Sequence, residues 1–150
     1  EVYDGAIPSG NSVFAFILSL LYRLTGDPKW NSACTKQLSF LAGHIKDYPA
    51  AYSFSLIAMQ SELTQSLELV CVTNQMQDIG PFQKFLSKIY HPNLTVIVKT
   101  KENEEKLNDI ASFTKEYPIH DQETRFYLCK NHTCYPPVST LQELEALLSS

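Results

Sequence analysis

Two short stretches concentrate the residue types that do chemistry. The first is Asp4-Gly5-Ala6-Ile7-Pro8-Ser9-Gly10-Asn11-Ser12, where one carboxyl group stands beside two glycines and a proline just ahead of an apolar run. Glycine and proline fix an unusual backbone at a helix start, which can turn amide groups toward a ligand oxygen or an anion. Asp4 can then act as a general acid, a base or an acceptor for a sugar hydroxyl. The competing reading is a structural loop in which Asn11 or Ser12 caps the helix. The second stretch, Cys129-Lys130-Asn131-His132-Thr133-Cys134, brings two thiols and an imidazole together. Three states stay open for it: a structural turn with free thiols, a disulfide, and a metal or catalytic site. Structural zinc normally takes four ligands and no second Cys/His pair repeats the spacing, so no metal is assigned. The separation of the thiols is also not that of a CxxC redox motif.

The remaining polar residues narrow the chemistry further. Glycosidase chemistry needs two carboxyl groups about 5 to 10 Å apart across a cleft, and Asp4 is the one acidic residue the pattern places near a cleft. Glu102, Glu104, Glu105 and Asp109 are interleaved with Lys99, Lys101 and Lys106, as on a solvated face. His44, His91 and His120 are isolated from one another. His91-Pro92-Asn93 leads into a strand, at an end where α/β modules often bind ligands. There is no GxSxG elbow, Walker A segment or GxGxxG fingerprint. Asn93-Leu94-Thr95 and Asn131-His132-Thr133 match the glycosylation acceptor pattern, which matters only in a secreted chain.

The elements that would position these residues follow from periodicity. Phe14, Ile17, Leu18, Leu21 and Leu24 recur at helical spacing over 13–25, and Gly26-Asp27-Pro28 ends that helix. Asp27 can cap a second helix over 28–45, with Pro28 at its first position and Trp30, Cys34, Leu38 and Leu41 along one side. A third helix is expected over 49–63. The period then changes. Leu67–Thr73 and Leu94–Val98 read as strands buried on both faces, with a helix through Phe82, Phe85, Leu86 and Ile89 between them and a right-handed crossover. A short helix over 103–111, a third strand at Phe126–Cys129 and a last helix capped by Ser139 or Thr140 complete the pattern. The expected fold class is mixed α+β: a helical segment over 1–64, then a small α/β module over 65–150 with a mostly parallel three-stranded sheet. The two halves are expected to pack on each other or on further chain, because each has apolar faces to cover.

Composition bounds the function. The chain has 150 residues and is 44% hydrophobic, and its 12 Lys/Arg against 16 Asp/Glu give a formal charge of −4, which disfavours a backbone-wide nucleic-acid grip. The Val13–Leu21 run is too short to span a bilayer, and without a basic segment before it the start is not a signal peptide. Cys34 and Cys71 lie in apolar segments, as reduced buried residues do. A reducing, cytoplasmic setting is the expectation, and the absence of an initiator Met suggests a chain cut from something longer.

The Asp4–Ser12 loop, the three helices after it, the Leu67–Thr73 strand and the ending Tyr127-Leu-Cys-Lys-Asn-His-Thr-Cys-Tyr-Pro136 together resemble one family. The chain is similar to the C-terminal part of the thioredoxin-domain-containing proteins of the YyaL and spermatogenesis-associated protein 20 type. That resemblance implies that 1–64 is a three-helix segment closing an (α/α)6 toroid similar to N-acylglucosamine 2-epimerases and six-hairpin glycosidases, with the α/β module appended. It makes Asp4, Ser9 and Asn11 the substrate-pocket candidates, facing the central cavity. Cys129 and Cys134 match the family's terminal signature rather than its thioredoxin motif, and stand as structural or redox thiol candidates. No cofactor is implied. The expected partners are the missing N-terminal portion of the parent, a small carbohydrate and, through unburied apolar surface, a second copy of the chain. Two functions follow: one wall of a carbohydrate-binding or sugar-modifying cleft that is inactive alone, or a structural or interaction module of a redox or regulatory parent. The sequence does not decide whether the parent is an enzyme.

Overall fold

The computed structural model describes residues 1–131 and 133–149. The chain forms two compact units, Glu1–Gln65 and Ser66–Ser150. The first is helical and the second mixed.

In the first unit α1 runs Gly10–Thr25, α2 Pro28–Ile45 and α3 Ser53–Leu63, with a 3-10 turn at Pro49–Tyr52 leading into α3. The α1 N-cap is Ser9, whose side chain accepts the Ser12 amide. The helix thus starts three residues before Val13, and the cap is neither Asn11 nor Ser12. Extended backbone at Ser9 frees its hydroxyl to satisfy an orphan amide of the first turn. Gly26 ends the helix at φ 68°, a left-handed cap that only glycine adopts without strain. Asp27 caps α2 through the Lys29 amide, with Pro28 in the first turn.

α1 packs against both α2 and α3. The core is small: Ala15, Leu41, Ile45 and Ala58 are buried, with Val2, Phe16, Leu38, Tyr52 and Met59 around them. The inward positions of α1 are Ser12, Ala15, Leu18, Ser19 and Arg23, whereas Phe14, Ile17 and Leu24 face outward. α3 repeats the pattern, burying Ser55, Ala58 and Ser61 while Leu56 and Ile57 are exposed. Small residues let the helix axes approach closely, and Ser19, Arg23 and Ser61 find polar partners across the interface, whereas the Ser55 hydroxyl has none among the described residues. Arg23 Nη2 donates to the Ser61 carbonyl at 2.5 Å and to its hydroxyl at 3.0 Å, and Ser19 donates to Glu62.

In the second unit the strands are β1 Leu67–Val72, β2 Leu94–Lys99, β3 Arg125–Lys130 and β4 Thr133–Cys134, in the order β2-β1-β3-β4. The helices are α4 Gly80–Leu86, α5 Glu104–Ile110 and α6 Leu141–Ser149. β1 pairs with β2 in parallel and with β3 antiparallel, and β3 pairs antiparallel with β4. The sheet is therefore four-stranded and mixed, in place of the mostly parallel three-stranded one expected. After β2 the seven residues of α5 rise only about 10 Å, too little to return the chain past strands of about 20 Å. It re-enters at the end where β2 finished, which makes β3 antiparallel. β4 is too short to show a period, and a tight turn with Asn131 at φ 48° folds it back on β3.

Both faces of this sheet are covered. Leu67, Leu69, Cys71, Phe126 and Leu128 pack on one side with Phe82, Leu144 and Leu148. On the other, Val70, Val72, Ile97 and Tyr127 meet Leu107, Phe113, Tyr117 and Ile119. α6 begins in a capping box, with Thr140 Oγ1 accepting the Glu143 amide and the Glu143 carboxylate accepting the Thr140 amide. No helix among the described residues is long and apolar enough to cross a membrane.

Candidate functional site

The Asp4 loop is built around its carboxylate. Oδ1 accepts the Ser9 amide at 2.7 Å and the Ser12 hydroxyl at 2.5 Å, while Oδ2 accepts the Phe54 and Ser55 amides at 2.9 and 3.1 Å. The Asp4 amide in turn donates to the Ala51 carbonyl. One side chain thereby closes its own loop and satisfies two orphan donors at the start of α3, fifty residues away. Only 6% of Asp4 is exposed. Burial raises its pKa, but the hydrogen bonds from Ser12, Ser9, Ser55 and Phe54 outweigh that and hold the carboxyl below its usual value. It is an ionised structural anchor with all four strong acceptor positions taken.

The other two pocket candidates are tied in the same way. Ser9 is buried, its hydroxyl 2.7 Å from that of Ser12. Asn11 donates to the Glu1 carbonyl and accepts from Gln37 of α2 at 2.9 Å. The structure thus brings Asp4 and Ser9 together, with Asn11 on the following turn. The partners that sequence reasoning missed are Ser12 and the first amides of α3. A separate pocket of about 170 Å³ lies at the far end of β1, lined by Cys71, Pro81, Phe82, Thr124, Phe126 and Leu141 among others, and includes none of the three.

The second candidate stretch forms a hairpin. Cys129 of β3 and Cys134 of β4 are direct cross-strand partners joined by a disulfide, which selects one of the three states left open by spacing. Cys129 is buried and Cys134 exposed. His132, the imidazole of that motif, lies outside the described residues. Tyr117 places its hydroxyl 3.8 Å from Cys129 Sγ and 3.9 Å from Cys134 Sγ. Its ring stacks on Tyr127 at 4.2 Å between centroids. Lys99 fixes the Tyr117 backbone from below: its Nζ donates to the carbonyls of Thr114 and Tyr117 at 2.9 and 3.0 Å and pairs with Glu104 at 3.1 Å. Lys99 is 1% exposed, so this member of the charge run is no part of a solvated face. The signal was there to read, since Lys99 closes an apolar strand and Glu68 interrupts another.

The thiols of Cys34 and Cys71 are free and buried. Burial pushes them up to about 11 and about 12 respectively, which keeps both protonated at neutral pH. His44 is exposed beside Phe40, His91 accepts the Leu94 amide through its carbonyl, and His120 bridges Glu123. Among the described residues no group of three His, Cys, Asp or Glu could hold a metal ion.

No protein-family profile matches the chain, and no solved structure matches it. Three curated relatives do, each named spermatogenesis-associated protein 20. The human (Homo sapiens) protein is 26% identical over 147 residues, the rat (Rattus norvegicus) protein 27% over 147 and the mouse (Mus musculus) protein 28% over 148. Each alignment covers 97% of this chain but only 18% or 19% of the relative, so the chain spans less than a fifth of the length of the curated proteins it matches. Along nearly its whole length the chain is thus similar to a segment of spermatogenesis-associated protein 20, the family that its Asp4–Ser12 and Tyr127–Pro136 motifs resemble.

Proposed function

We propose that this chain works as a structural and interaction segment of a longer parent, in which its helical unit is one layer of a larger α-helical assembly. The observation that carries the reading is the inverted polarity of α1 and α3. Apart from Leu18, the inward residues are serine, alanine and arginine, while Phe14, Ile17 and Leu24 are 51%, 44% and 36% exposed and Leu56 and Ile57 are 39% and 48% exposed. An apolar stripe on a helix is normally turned to a packed partner rather than to water, and the relatives' much greater length supplies chain enough to cover this face. An (α/α)6 toroid, in which each helix packs on two sides, is the architecture we infer for the parent. The layer's role is then to hold the Asp4 junction and present an apolar face. A parent in the cytoplasm and a unit boundary near residue 64 belong to the same proposal.

The test replaces Phe14, Ile17 and Leu24 by serine in the full-length parent and in the 150-residue chain. The parent is expected to lose several degrees of melting temperature, since half-exposed side chains become fully buried there at about 1 kcal/mol each. The isolated chain is expected to keep its melting temperature and to self-associate less. Equal effects in both would count against the assembly reading.

A second reading, that the loop forms a wall of a carbohydrate cleft in the parent, draws support from the exposed Tyr3 ring and the exposed stretch 5–8. In that reading Asp4 shapes the wall and supplies no proton. Monosaccharide binding to the parent that Tyr3→Ala abolishes would favour it.

A further inference from the structure

A polar row crosses the otherwise apolar sheet of the second unit. Thr95 of β2 is the register partner of Glu68 of β1, Glu68 that of Cys129 of β3, and Cys129 that of Cys134 of β4. Direct partners project to the same face, with Cβ atoms about 5 Å apart across each antiparallel pair. Both carboxyl oxygens of Glu68 and the Thr95 hydroxyl are shut off from solvent, and they have no hydrogen-bond partner among the described residues. A central strand that needed only packing would carry a sixth apolar residue here. An unpartnered carboxyl group in such a place costs stability, and the group standing next to it is a disulfide.

We propose that Cys129–Cys134 is a redox-active disulfide that exchanges with thiol substrates, with Cys134 as the exchanging sulfur and Glu68 as the proton carrier for Cys129. The division of labour follows from exposure. Cys134 lies on a two-residue edge strand open to solvent, while Cys129 is 8% exposed. A substrate thiolate attacks Cys134 Sγ, forming a mixed disulfide there and breaking the bond to Cys129 Sγ, which leaves as thiolate. That thiolate takes a proton from solvent by way of the Glu68 carboxylate beside it, with the Tyr117 hydroxyl donating a hydrogen bond to the emerging charge. A second substrate thiolate attacks the substrate sulfur of the mixed disulfide and releases Cys134 thiolate, which is protonated from water. The net change oxidises two thiols to one disulfide and reduces Cys129–Cys134 by the same two electrons. In reverse the Glu68 carboxylate accepts the Cys129 proton, and the thiolate expels the substrate from Cys134.

The surroundings suit this task. Tyr117 is held by its stack on Tyr127 and by Lys99, and it remains protonated: desolvation raises its pKa, and Tyr127, Glu116 and Glu68 add to that. The groups that share this face with Glu68 are Cys129, Tyr127 and Arg125 of β3, Cys134 of β4 and Tyr117 from the segment packed on it, with Arg125 paired to Glu123. Lys99, the cation of the same face on β2, is engaged with Glu104 and two carbonyls. Cys34 and Cys71 do not compete, because burial keeps both as thiols.

The test uses the full 150-residue chain, reduced with dithiothreitol without denaturant, then reoxidised by glutathione disulfide and sampled by maleimide mass-tagging. The disulfide is expected to open under these native conditions. Reduced Cys129→Ser is expected to trap glutathione on Cys134 at least about tenfold faster than reduced Cys134→Ser traps it on Cys129, because access to the sulfur sets the rate. Glu68→Gln is expected to slow closure of the mixed disulfide by about tenfold at pH 7, at the low end of general-base effects. Capture at Cys134 should not change in that variant. A disulfide that opens only in denaturant would overturn the proposal. So would Glu68→Gln closure within twofold of wild type, or a capture at Cys134 slowed to the same degree as closure. Glu68→Gln leaves both cysteines in place, so the test survives if either serine variant does not fold.

Discussion

Replacing Asp4 by asparagine removes a charge and leaves the shape intact, which isolates what the carboxylate does. Four donors converge on it: the amides of Ser9, Phe54 and Ser55 and the hydroxyl of Ser12. An amide offers one oxygen and an NH2 group, so two of the four must meet a donor. The Ser12 hydroxyl can turn to the Ser9 carbonyl, already 2.9 Å away, so the least costly arrangement keeps Oδ1 on α3 and strands the Ser9 amide. Hydrogen bonds to a charged group contribute about 1.5–3 kcal/mol and an unsatisfied buried donor costs about 1–3 kcal/mol, which puts the loss near 3 kcal/mol. With a urea slope of about 2 kcal/mol per molar, the midpoint should fall by about 1.5 M. Trp30, the one tryptophan of the chain, sits in α2 and reports the helical unit by fluorescence. The pH dependence carries its own sign. The folded-state pKa of Asp4 lies below the ordinary 3.8, so its contribution is present above that value and is lost as pH falls through the lower, folded value. The gap between wild type and variant should be constant from neutral pH to about pH 5 and narrow as the solution is taken below 3.8. A gap under about 0.5 kcal/mol at pH 7, the level of an ordinary surface change, or one that persists unaltered into acid, would refute the anchoring role.

Two further outcomes follow from the second unit and the thiols. Lys99→Met should cost about 3 kcal/mol, because the Thr114 and Tyr117 carbonyls lose their buried donor. Tyr117 fluorescence and hydrogen exchange over 112–117 should register the loosening first; unchanged protection there would sink the assignment. A thiol count with Ellman's reagent at pH 8 should give none in the native oxidised chain, two after denaturation alone and four after denaturation with reductant. Two reactive thiols in the native chain would contradict the burial of Cys34 and Cys71, and four in denaturant without reductant would contradict the disulfide.

Much of the fold was legible because local rules act over a few residues. The Phe14–Leu24 spacing, Asp27-Pro28 at a helix start, Gly26 at a helix end and the Thr140/Glu143 box each specify structure through neighbours in sequence. The outward direction of Phe14 and Ile17 was not legible, since periodicity shows that a stripe exists and not which side is covered. β4 escaped because two residues carry no period. The anchoring role of Asp4 escaped because half of its partners lie on α3. Glu68 and Lys99 were visible as charges inside apolar strands, but their neighbours depended on register.

The sequence by itself determined the helices, three of the four strands, the change from a helical to a mixed unit and the two stretches that hold the reactive residue types. The likeness to spermatogenesis-associated protein 20 was also readable in the Asp4–Ser12 and Tyr127–Pro136 motifs. Only the tertiary structure decided that Asp4 is spent on α3, that β3 runs against β1, and that Glu68, Cys129 and Cys134 stand in one row. The physical reason is range: propensity, capping and periodicity are set by residues within a turn or two, whereas strand direction and the partners of a buried charge depend on which distant segments the collapsed chain brings together.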